Sequence, residues 1–403
     1  MKIQIGHSSD DPGSDGASPP VPAAIPTATE TPTSATVWEL GGEFHWVAPE
    51  PFGSGQGILP QDAVLFGNGR QALYAAFMEG RRRFGWRVCH LPAYICASVV
   101  QTARAADLLC RFYNFVPAAD EPPDWPPFTR REEVLLSINV LGFHGPESAP
   151  PPDWPNENRI EDHTHDPWSR LAAESSAGYC VASLRKTLPV PDGGALWSPL
   201  GLPCPSPDGL IPRHAASSQQ KLTAMLLKRH YLLGMPVKKE EFRAWQIQSE
   251  AAMSIRPISR PLPITASMLP HLPWQRWRAE RARNAEYGAR RLRELLTDPA
   301  IEPNRCEILP RPSQLRFPRQ CPFAVVLVCS DRRERDRLRE ALIQRQVYPP
   351  IFWPLPKEAA RRCPKSAAFS ARMLALPCDF RYTPEDIEEA VQIVREFFRH
   401  GDA

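Results

Sequence analysis

Residues 183–194 read SLRKTLPVPDGG. They place a single lysine, Lys186, after a short apolar run and before a proline-stiffened loop that ends in two glycines. Lysine is rare in this protein, because only eight of the 48 basic residues are lysines. A primary amine can lose its proton and attack a carbonyl, whereas a guanidinium cannot. The stretch therefore predicts either a nucleophilic lysine at a strand end or an ordinary loop lysine.

The sequence around this stretch predicts an α/β fold. From residue 63 onward, short apolar runs alternate with longer helical ones, a pattern typical of a mostly parallel sheet with crossover helices. Strands are predicted at residues 63–66, 87–91, 108–113, 133–140, 159–162, 179–183, 195–197, 323–329, 347–353 and 373–376. Helices are predicted at residues 70–84, 95–105, 219–233, 238–253, 274–296, 332–344 and from residue 384 onward.

The length of 403 residues predicts more than one domain. We expect a large α/β domain over residues 37–255, a connecting helical segment over residues 256–300 and a smaller C-terminal α+β domain over residues 301–403. Residues 1–36 are rich in Ser, Thr, Ala and Pro and offer almost nothing to bury, so we expect a disordered tail there.

Composition and charge exclude several classes of partner. The net charge of +3 is too small to indicate nucleic acid binding, and no apolar run approaches the roughly 20 residues that cross a bilayer. The ten cysteines include no Cys-x-x-Cys pair, and the N-terminus lacks the apolar core of a signal peptide. We therefore expect a cytoplasmic protein with reduced thiols, and neither nucleic acid nor membrane partners.

Two other features of the sequence have to be considered together with Lys186. Asp162 ends a predicted strand, and the carboxyl ends of parallel strands are where ligands gather in such folds. Residues 67–73 read GNGRQAL and form a glycine-rich turn that opens a helix, whose free N–H groups could bind phosphate. The turn alone is a weak signal, because many helices start with Gly-x-Gly for structural reasons. An amine, a carboxylate and a phosphate cradle on one sheet edge are what pyridoxal phosphate requires.

These residues resemble the sugar aminotransferases of the DegT/DnrJ/EryC1/StrS type, which are fold-type I pyridoxal-phosphate enzymes, over about residues 60–400. In that family the lysine is followed by an acid and two glycines, as Lys186 is followed by Asp192-Gly193-Gly194. The segment Ile160-Glu161-Asp162, with His165 three residues on, and the turn Gly69-Arg70-Gln71-Ala72-Leu73 resemble two further family motifs.

The resemblance implies a role for each matching residue. Lys186 would hold the cofactor, pyridoxal 5'-phosphate, as a Schiff base and act as the general base. Asp162 would pair with the pyridinium nitrogen and His165 would lie near the ring hydroxyl. Gly69, Arg70, Gln71 and Ser183 would lie at the phosphate, Tyr94 would stack on the ring, and Trp353 and Arg381 would lie near the substrate. A homodimer with shared active sites is also implied.

The chain departs from the family pattern at three places. Val181 stands where the family often keeps a serine, so that Ser183 is the nearest substitute, and Arg70 replaces a threonine. The histidine that commonly follows the Trp-Pro segment is absent after Trp353-Pro354. That histidine lies on the substrate side, so the resemblance implies the cofactor more directly than the substrate.

The expected function is amino transfer from an amino acid donor to a keto or aldehyde acceptor, such as a nucleotide-linked keto sugar or a natural-product intermediate. Two alternatives stay open. One is a pyridoxal-phosphate lyase, dehydratase or condensing enzyme that acts on a smaller amino acid. The other is a metal-dependent or binding protein in which His163 and His165, with Asp162, His90 or His144, hold a metal. We expect no metal, and Arg381 could also be an ordinary arginine near a helix start.

Overall fold

The computed structural model describes residues 36–49, 57–119, 122–143, 150–302, 305–315 and 320–400. The strands are β1 Leu40–Gly41, β2 Val64–Phe66, β3 Val88–Pro92, β4 Leu109–Tyr113, β5 Glu133–Ile138, β6 Arg159–Asp162, β7 Tyr179–Ser183, β8 Gly194–Trp197, β9 Cys306–Leu309, β10 Val325–Cys329, β11 Val347–Tyr348 and β12 Met373–Leu376. The helices are α1 Gly69–Phe84, α2 Ala97–Ala105, α3 Arg170–Ala173, α4 Pro212–Leu232, α5 Lys239–Ala252, α6 Pro263–Met268, α7 Trp274–Leu296, α8 Arg332–Gln344, α9 Lys357–Arg362, α10 Pro364–Arg372 and α11 Pro384–His400.

A seven-stranded sheet with the order β2-β8-β7-β6-β5-β3-β4 forms the centre of the fold. The pairings from β7 through β6, β5 and β3 to β4 are all parallel, and β8 runs antiparallel to both of its neighbours. The mostly parallel α/β sheet predicted from the sequence is therefore confirmed. Because β5, β6 and β7 are parallel, their carboxyl ends lie at one edge of the sheet, where Asp162 ends β6 and Lys186 follows β7.

Helix α1 begins at the glycine-rich turn beside this edge. The Asn68 side chain accepts a hydrogen bond of 3.1 Å from the backbone N–H of Gln71, which caps the first turn. The helix can approach β7 closely because Gly69 has no side chain, and a Cβ there would lie 2.7 Å from the Cβ of Ser183. Phe77 and its neighbours on the buried face join the same apolar cluster as the central strands. Packing thus presses the start of α1 against the end of β7.

A second, three-stranded sheet has the order β12-β10-β9 with antiparallel pairings. Leu292 of α7, Leu338 of α8 and Val391 of α11 lie in one buried cluster with Leu327 of β10. Strand β1, from the N-terminal segment, pairs in parallel with β11. The chain over Ala35–Ala403 forms one compact unit, so its division into a large domain, a connecting segment and a small domain stays a prediction.

Several predicted elements differ from the structure. Helix α4 begins at Pro212 instead of residue 219, because a proline at the first helical position needs no N–H partner. The strand predicted over residues 347–353 covers only β11, since Pro349 and Pro350 cannot donate to a ladder. The strands β1 and β9 and the helices α3, α6, α9 and α10 were not predicted. Residues 1–35 of the predicted tail lie outside the described residues, and among those described no helix is long and apolar enough to cross a membrane.

Gly80→Ala should destabilise the fold, because the added Cβ would lie 2.0 Å from ring atoms of the buried Trp86 beneath α1. Overpacking of this kind costs about 1–3 kcal/mol in the free energy of unfolding. Urea denaturation measures the loss. Gly209→Ala is the control, since its Cβ would meet no atom within 4 Å, and it should change stability by less than about 0.5 kcal/mol. Equal stability of the two variants would contradict this packing.

Candidate active site

The carboxyl ends of β6 and β7 and the first turn of α1 surround a cavity of about 150 Å³, here called the first cavity. The residues come together because β6 and β7 are parallel neighbours and α1 starts beside them. Those predicted from the sequence that line it are Gly69, Arg70, Asp162, His165, Ser183, Lys186 and Trp353.

Lys186 lies on a 3-10 turn, Leu184–Lys186, that directly follows β7. The Lys186 side chain is exposed to the cavity, and the other residues that line the cavity surround it. The adjacent positive charge of Arg185, together with burial, lowers the pKa of Lys186 to about 8, while the Glu250 carboxylate acts in the opposite direction. Such a lysine has an appreciable neutral fraction near neutral pH, and the neutral amine is the nucleophile.

The loop after Lys186 is held by one buried carboxylate. Asp192 is fully buried and accepts hydrogen bonds from the Leu262 N–H at 2.9 Å and from the Thr265 hydroxyl. Its Oδ2 also lies 2.9 Å from Nε2 of His214. These contacts fix the loop to the start of α6 and to α4.

The two glycines after Asp192 join this loop to the turn before α1. The N–H of Gly193 donates to the carbonyl of Gly67 at 2.7 Å. A Cβ at Gly194 would lie 2.3 Å from the backbone oxygen of Asn68, so only glycine fits there. The lysine loop and the glycine-rich turn are therefore positioned as one unit.

Asp162, the last residue of β6, is half-buried and faces the first cavity. Its Oδ1 accepts a hydrogen bond of 2.9 Å from the N–H of Thr164. Burial raises the pKa of this carboxyl, and the hydrogen bonds from Thr164 act against that shift. A cationic group of a ligand placed against Asp162 would lower the pKa again and would itself be stabilised.

His165 is a neutral side chain at the same end of the cavity. Its Nδ1 accepts a hydrogen bond of 2.8 Å from the N–H of Leu141, so the ring proton is on Nε2. Burial and the positive charges of Lys186 and Arg281 lower its pKa to about 3. The ring stacks on Phe323 with centroids 4.3 Å apart. His165 can therefore donate one hydrogen bond from Nε2 from a fixed position.

The glycine-rich turn contributes backbone and arginine to the cavity. The first N–H groups of any α-helix lack partners within the helix, and those of α1 begin beside Ser183. The Arg70 guanidinium donates to Glu250 Oε1 at 2.7 Å and to the Met253 carbonyl at 3.1 Å. This turn therefore carries a positive dipole end and a positive side chain, as a phosphate site requires.

The structure does not bring Gln71 and Tyr94 to the first cavity. The Gln71 carboxamide is buried against the chain after α5, where its Oε1 accepts from the N–H of Ser259 at 3.0 Å. Tyr94 is fully buried, its hydroxyl donates to the Phe352 carbonyl, and its ring packs on Trp353 at 5.4 Å. A buried phenol needs an acceptor, and this one finds it in the Phe352 carbonyl, so that the Tyr94 side chain lies behind residues that line the cavity.

No family model matches the sequence, and no curated protein matches it. Solved structures do match. A putative sugar aminotransferase, Spr1654 from Streptococcus pneumoniae, gives a TM-score of 0.52 at 10% identity over 83% of this chain and 86% of that chain. The 3-amino-5-hydroxybenzoic acid synthase gives 0.52 at 16% identity over 83% and 85%. DesI, solved in the presence of its TDP-sugar product, gives 0.53 at 15% identity over 84% and 81%.

The chain has the same α/β fold as these solved structures. Identities this low establish the fold alone, and the fold expected from the sequence is thereby confirmed.

A second cavity, of about 450 Å³, meets the first at Lys186. Arg185, Glu250, Phe323 and Phe352 line both cavities. Two stacked aromatic pairs line the second cavity: Trp168 with Trp274, centroids 4.9 Å apart, and Trp277 with Phe380, centroids 4.1 Å apart. Lys186 therefore lies where a smaller cavity meets a larger one that is lined by aromatic pairs.

Arg381 lies at the second cavity instead of the first. Its guanidinium donates to both carboxylate oxygens of Asp379 and to the carbonyls of Gly42 and Glu43. It also lies over the Phe44 ring, 4.5 Å from the centroid. The arginine thus fastens the N-terminal segment to the wall of this cavity, and most of its N–H groups are already engaged.

Among the residues of the first cavity that the sequence analysis missed are Asn139, Arg185 and Glu250. Asn139 follows β5 at the same sheet edge, and its Oδ1 is buried without a hydrogen-bond partner among the described residues. Its position after a strand could have identified it, but it was counted within the predicted strand. Glu250 is far away in sequence, on α5, and no local pattern indicates it.

The histidines considered as metal ligands are not brought together. His163 lies 3.1 Å from Glu161 and shares a buried cluster with Glu161 and Cys180, outside the first cavity. His90 lies 3.6 Å from Glu133. His144 lies outside the described residues.

An amine-reactive reagent should label Lys186 with a rate that reaches half its maximum near pH 8, because only the neutral amine reacts. Arg185→Met should move this midpoint upward, since it removes the charge that contributes most to the shift. Peptide mass spectrometry across a pH series measures both midpoints. Lys186→Met is the control that removes the labelled position. A wild-type midpoint in the ordinary lysine range would contradict the geometry around Lys186.

Proposed function

We propose that the protein is a pyridoxal 5'-phosphate-dependent aminotransferase that moves an amino group from an amino acid donor to a small-molecule keto or aldehyde acceptor. The observation that carries the proposal is the meeting of Lys186, Asp162 and the start of α1 in one cavity at the carboxyl edge of the sheet. Similar structures support it, because Spr1654 was solved in a PLP form and a PMP form.

The residues of the first cavity fit this cofactor by their chemistry. Lys186 offers an amine whose pKa is lowered to about 8, and Asp162 offers a carboxylate that is stabilised by a cation opposite it. The buried Asn139 Oδ1 and the Nε2 proton of His165 offer an acceptor and a donor for a polar ring substituent. When bound, pyridoxal phosphate supplies an aldehyde that condenses with amines and a pyridine ring that accepts electrons.

Each residue has a proposed task in the reaction. The neutral Nζ of Lys186 would take the proton from the α-carbon of the donor and, in the second half of the transfer, give a proton to the acceptor carbon that receives the amino group. It can reach both cavities. Asp162 keeps a proton on the ring nitrogen through its negative charge. His165 stays neutral across the working pH range, so it orients the ring by hydrogen bonding without competing for the proton.

The second cavity is the proposed site of the donor and the acceptor. Its aromatic pairs offer flat apolar faces for a ring, and its lining includes cations such as Lys221 and Arg243, which suit an acceptor that carries negative charge. A nucleotide-linked keto sugar meets both conditions, and DesI was solved with a TDP-sugar product. A cytoplasmic location and a homodimer with shared active sites belong to the same proposal.

Wild-type protein purified with pyridoxal phosphate should show the visible absorbance of a lysine-bound cofactor. Lys186→Met should abolish it, because among the described residues Lys186 is the only lysine that lines the first cavity. Circular dichroism of the variant is the folding control. Absence of the band in the wild type would contradict the proposed function, whereas its persistence in Lys186→Met would assign the covalent link to another lysine.

L-Glutamate added without an acceptor should convert the visible band to that of the amine form of the cofactor, because amino transfer proceeds by separable half-reactions. The absorbance spectrum before and after addition measures this. A cofactor that is bound but unchanged by any amino donor would favour a lyase, dehydratase or condensing enzyme instead.

Asp162→Asn should slow the glutamate half-reaction by about 10- to 100-fold, the effect of losing one charge-assisted hydrogen bond. Bound cofactor should be retained, because Lys186 and the start of α1 remain. Single-turnover absorbance kinetics measure the rate, and Asp208→Asn, at an exposed loop position, is the matched control. An unchanged rate in Asp162→Asn would exclude Asp162 from the proposed task.

A further inference from the structure

We propose that Arg185 is the charged ligand of the phosphate group in the first cavity, with Arg70 beside it, and that Glu250 is the positioning residue that holds both guanidinium groups. The inference rests on the proposed function, since the phosphate is that of pyridoxal phosphate. We call Arg70, Glu250 and Arg185 the arginine clamp.

The clamp is built around a single carboxylate. Glu250 Oε1 accepts from Arg70 Nη2 at 2.7 Å, and Arg185 Nη2 lies 2.8 Å from Oε2 and 3.1 Å from Oε1. Arg70 is a first-turn residue of α1, and Arg185 directly precedes Lys186, so the carboxylate joins the glycine-rich turn to the lysine loop. All three side chains line the first cavity.

Arg185 has an N–H donor that is available to a ligand. Its side chain is 8% exposed, and its Nε is buried without a hydrogen-bond partner among the described residues. Only Nη2 contacts Glu250 and Met253. A buried guanidinium with an unpaired N–H is unfavourable unless an acceptor completes it. A phosphate monoester offers several such oxygens, and the planar guanidinium suits them.

The charge of the clamp also fits a phosphate. Burial would raise the pKa of Glu250, but Arg185, Lys186, Arg70 and Lys221 outweigh it and hold the pKa at about 2, so the carboxylate stays ionised. Two arginines and one carboxylate leave one net positive charge, to which the start of α1 adds about half a charge. A phosphate monoester carries about −1.5 to −2 at neutral pH, so the site and the anion nearly balance.

Glu250 acts through geometry. Without it, two like-charged guanidinium groups would face each other across the cavity mouth and turn apart toward solvent. Positioning predicts that removal of this negative charge weakens phosphate binding, whereas simple Coulomb repulsion between Glu250 and the phosphate predicts the reverse. The sign of the effect therefore separates the two roles.

The test compares the dissociation constants of pyridoxal phosphate and of pyridoxal, which lacks the phosphate, for the full-length apo-protein. The ratio of the pyridoxal constant to the pyridoxal phosphate constant isolates the contribution of the phosphate and does not depend on catalysis. Arg185→Gln should lower this ratio by about 10- to 100-fold, as expected for loss of a charged hydrogen-bond donor. Glu250→Gln should lower it several-fold, and inorganic phosphate should compete with pyridoxal phosphate less well in both variants.

Arg243→Gln is the matched control, because Arg243 lies on the same helix as Glu250 and lines the second cavity but not the first. Its ratio should equal that of the wild type. Arg185→Lys guards against a folding defect, since it keeps the charge but loses the planar fork, and its ratio should fall between the wild type and Arg185→Gln.

A wild-type ratio in Arg185→Gln would overturn the assignment of Arg185, and an increased ratio in Glu250→Gln would overturn the positioning role. If the wild-type protein binds pyridoxal phosphate but the variants give these results, the arginine clamp is refuted and the proposed function stands. Wild-type protein that binds no pyridoxal phosphate at all would refute both.

Discussion

The buried carboxylate of Asp192 holds the site together. It accepts hydrogen bonds from the Leu262 N–H and the Thr265 hydroxyl and lies against His214, so three separate parts of the chain converge on one charge. A buried carboxylate is costly unless it is fully hydrogen-bonded, which makes this arrangement specific for one loop conformation. The conformation places Gly193 and Gly194 against the turn that opens α1. Lys186 and the proposed phosphate site therefore keep a constant separation.

Two neighbouring side chains shift the pKa of Lys186 in opposite directions. Arg185 lowers the pKa of the lysine, and Glu250 both raises it and pairs with Arg185. A cation placed directly before this lysine makes the neutral amine more abundant, while the carboxylate partly offsets that effect. The same carboxylate reaches Arg70, so the basicity of the amine and the proposed phosphate site depend on one side chain from α5.

Short-range patterns indicated candidate residues at strand ends and turns, and the structure brings several of them to one cavity. Asp162, Ser183 and Lys186 lie at or just after strand ends, and Gly69 opens a helix, so local sequence was enough to bring them to one cavity. Tyr94 lies just past the end of β3, yet its ring turns into the core, because its hydroxyl finds an acceptor in Phe352, far along the chain. Rotamer choice of this kind depends on distant partners and has no local signal.

The sequence by itself determined the alternation of strands and helices, the parallel sheet, and the placing of an amine and a carboxylate at its carboxyl edge, because these follow from periodicity and from where strands end. Only the tertiary structure decided that Glu250 joins Arg70 to Arg185 and that Arg381 fastens the N-terminal segment instead of facing the first cavity. These contacts link residues far apart in the chain. Their pairing is set by how helices pack on the sheet, and composition and spacing do not contain that information.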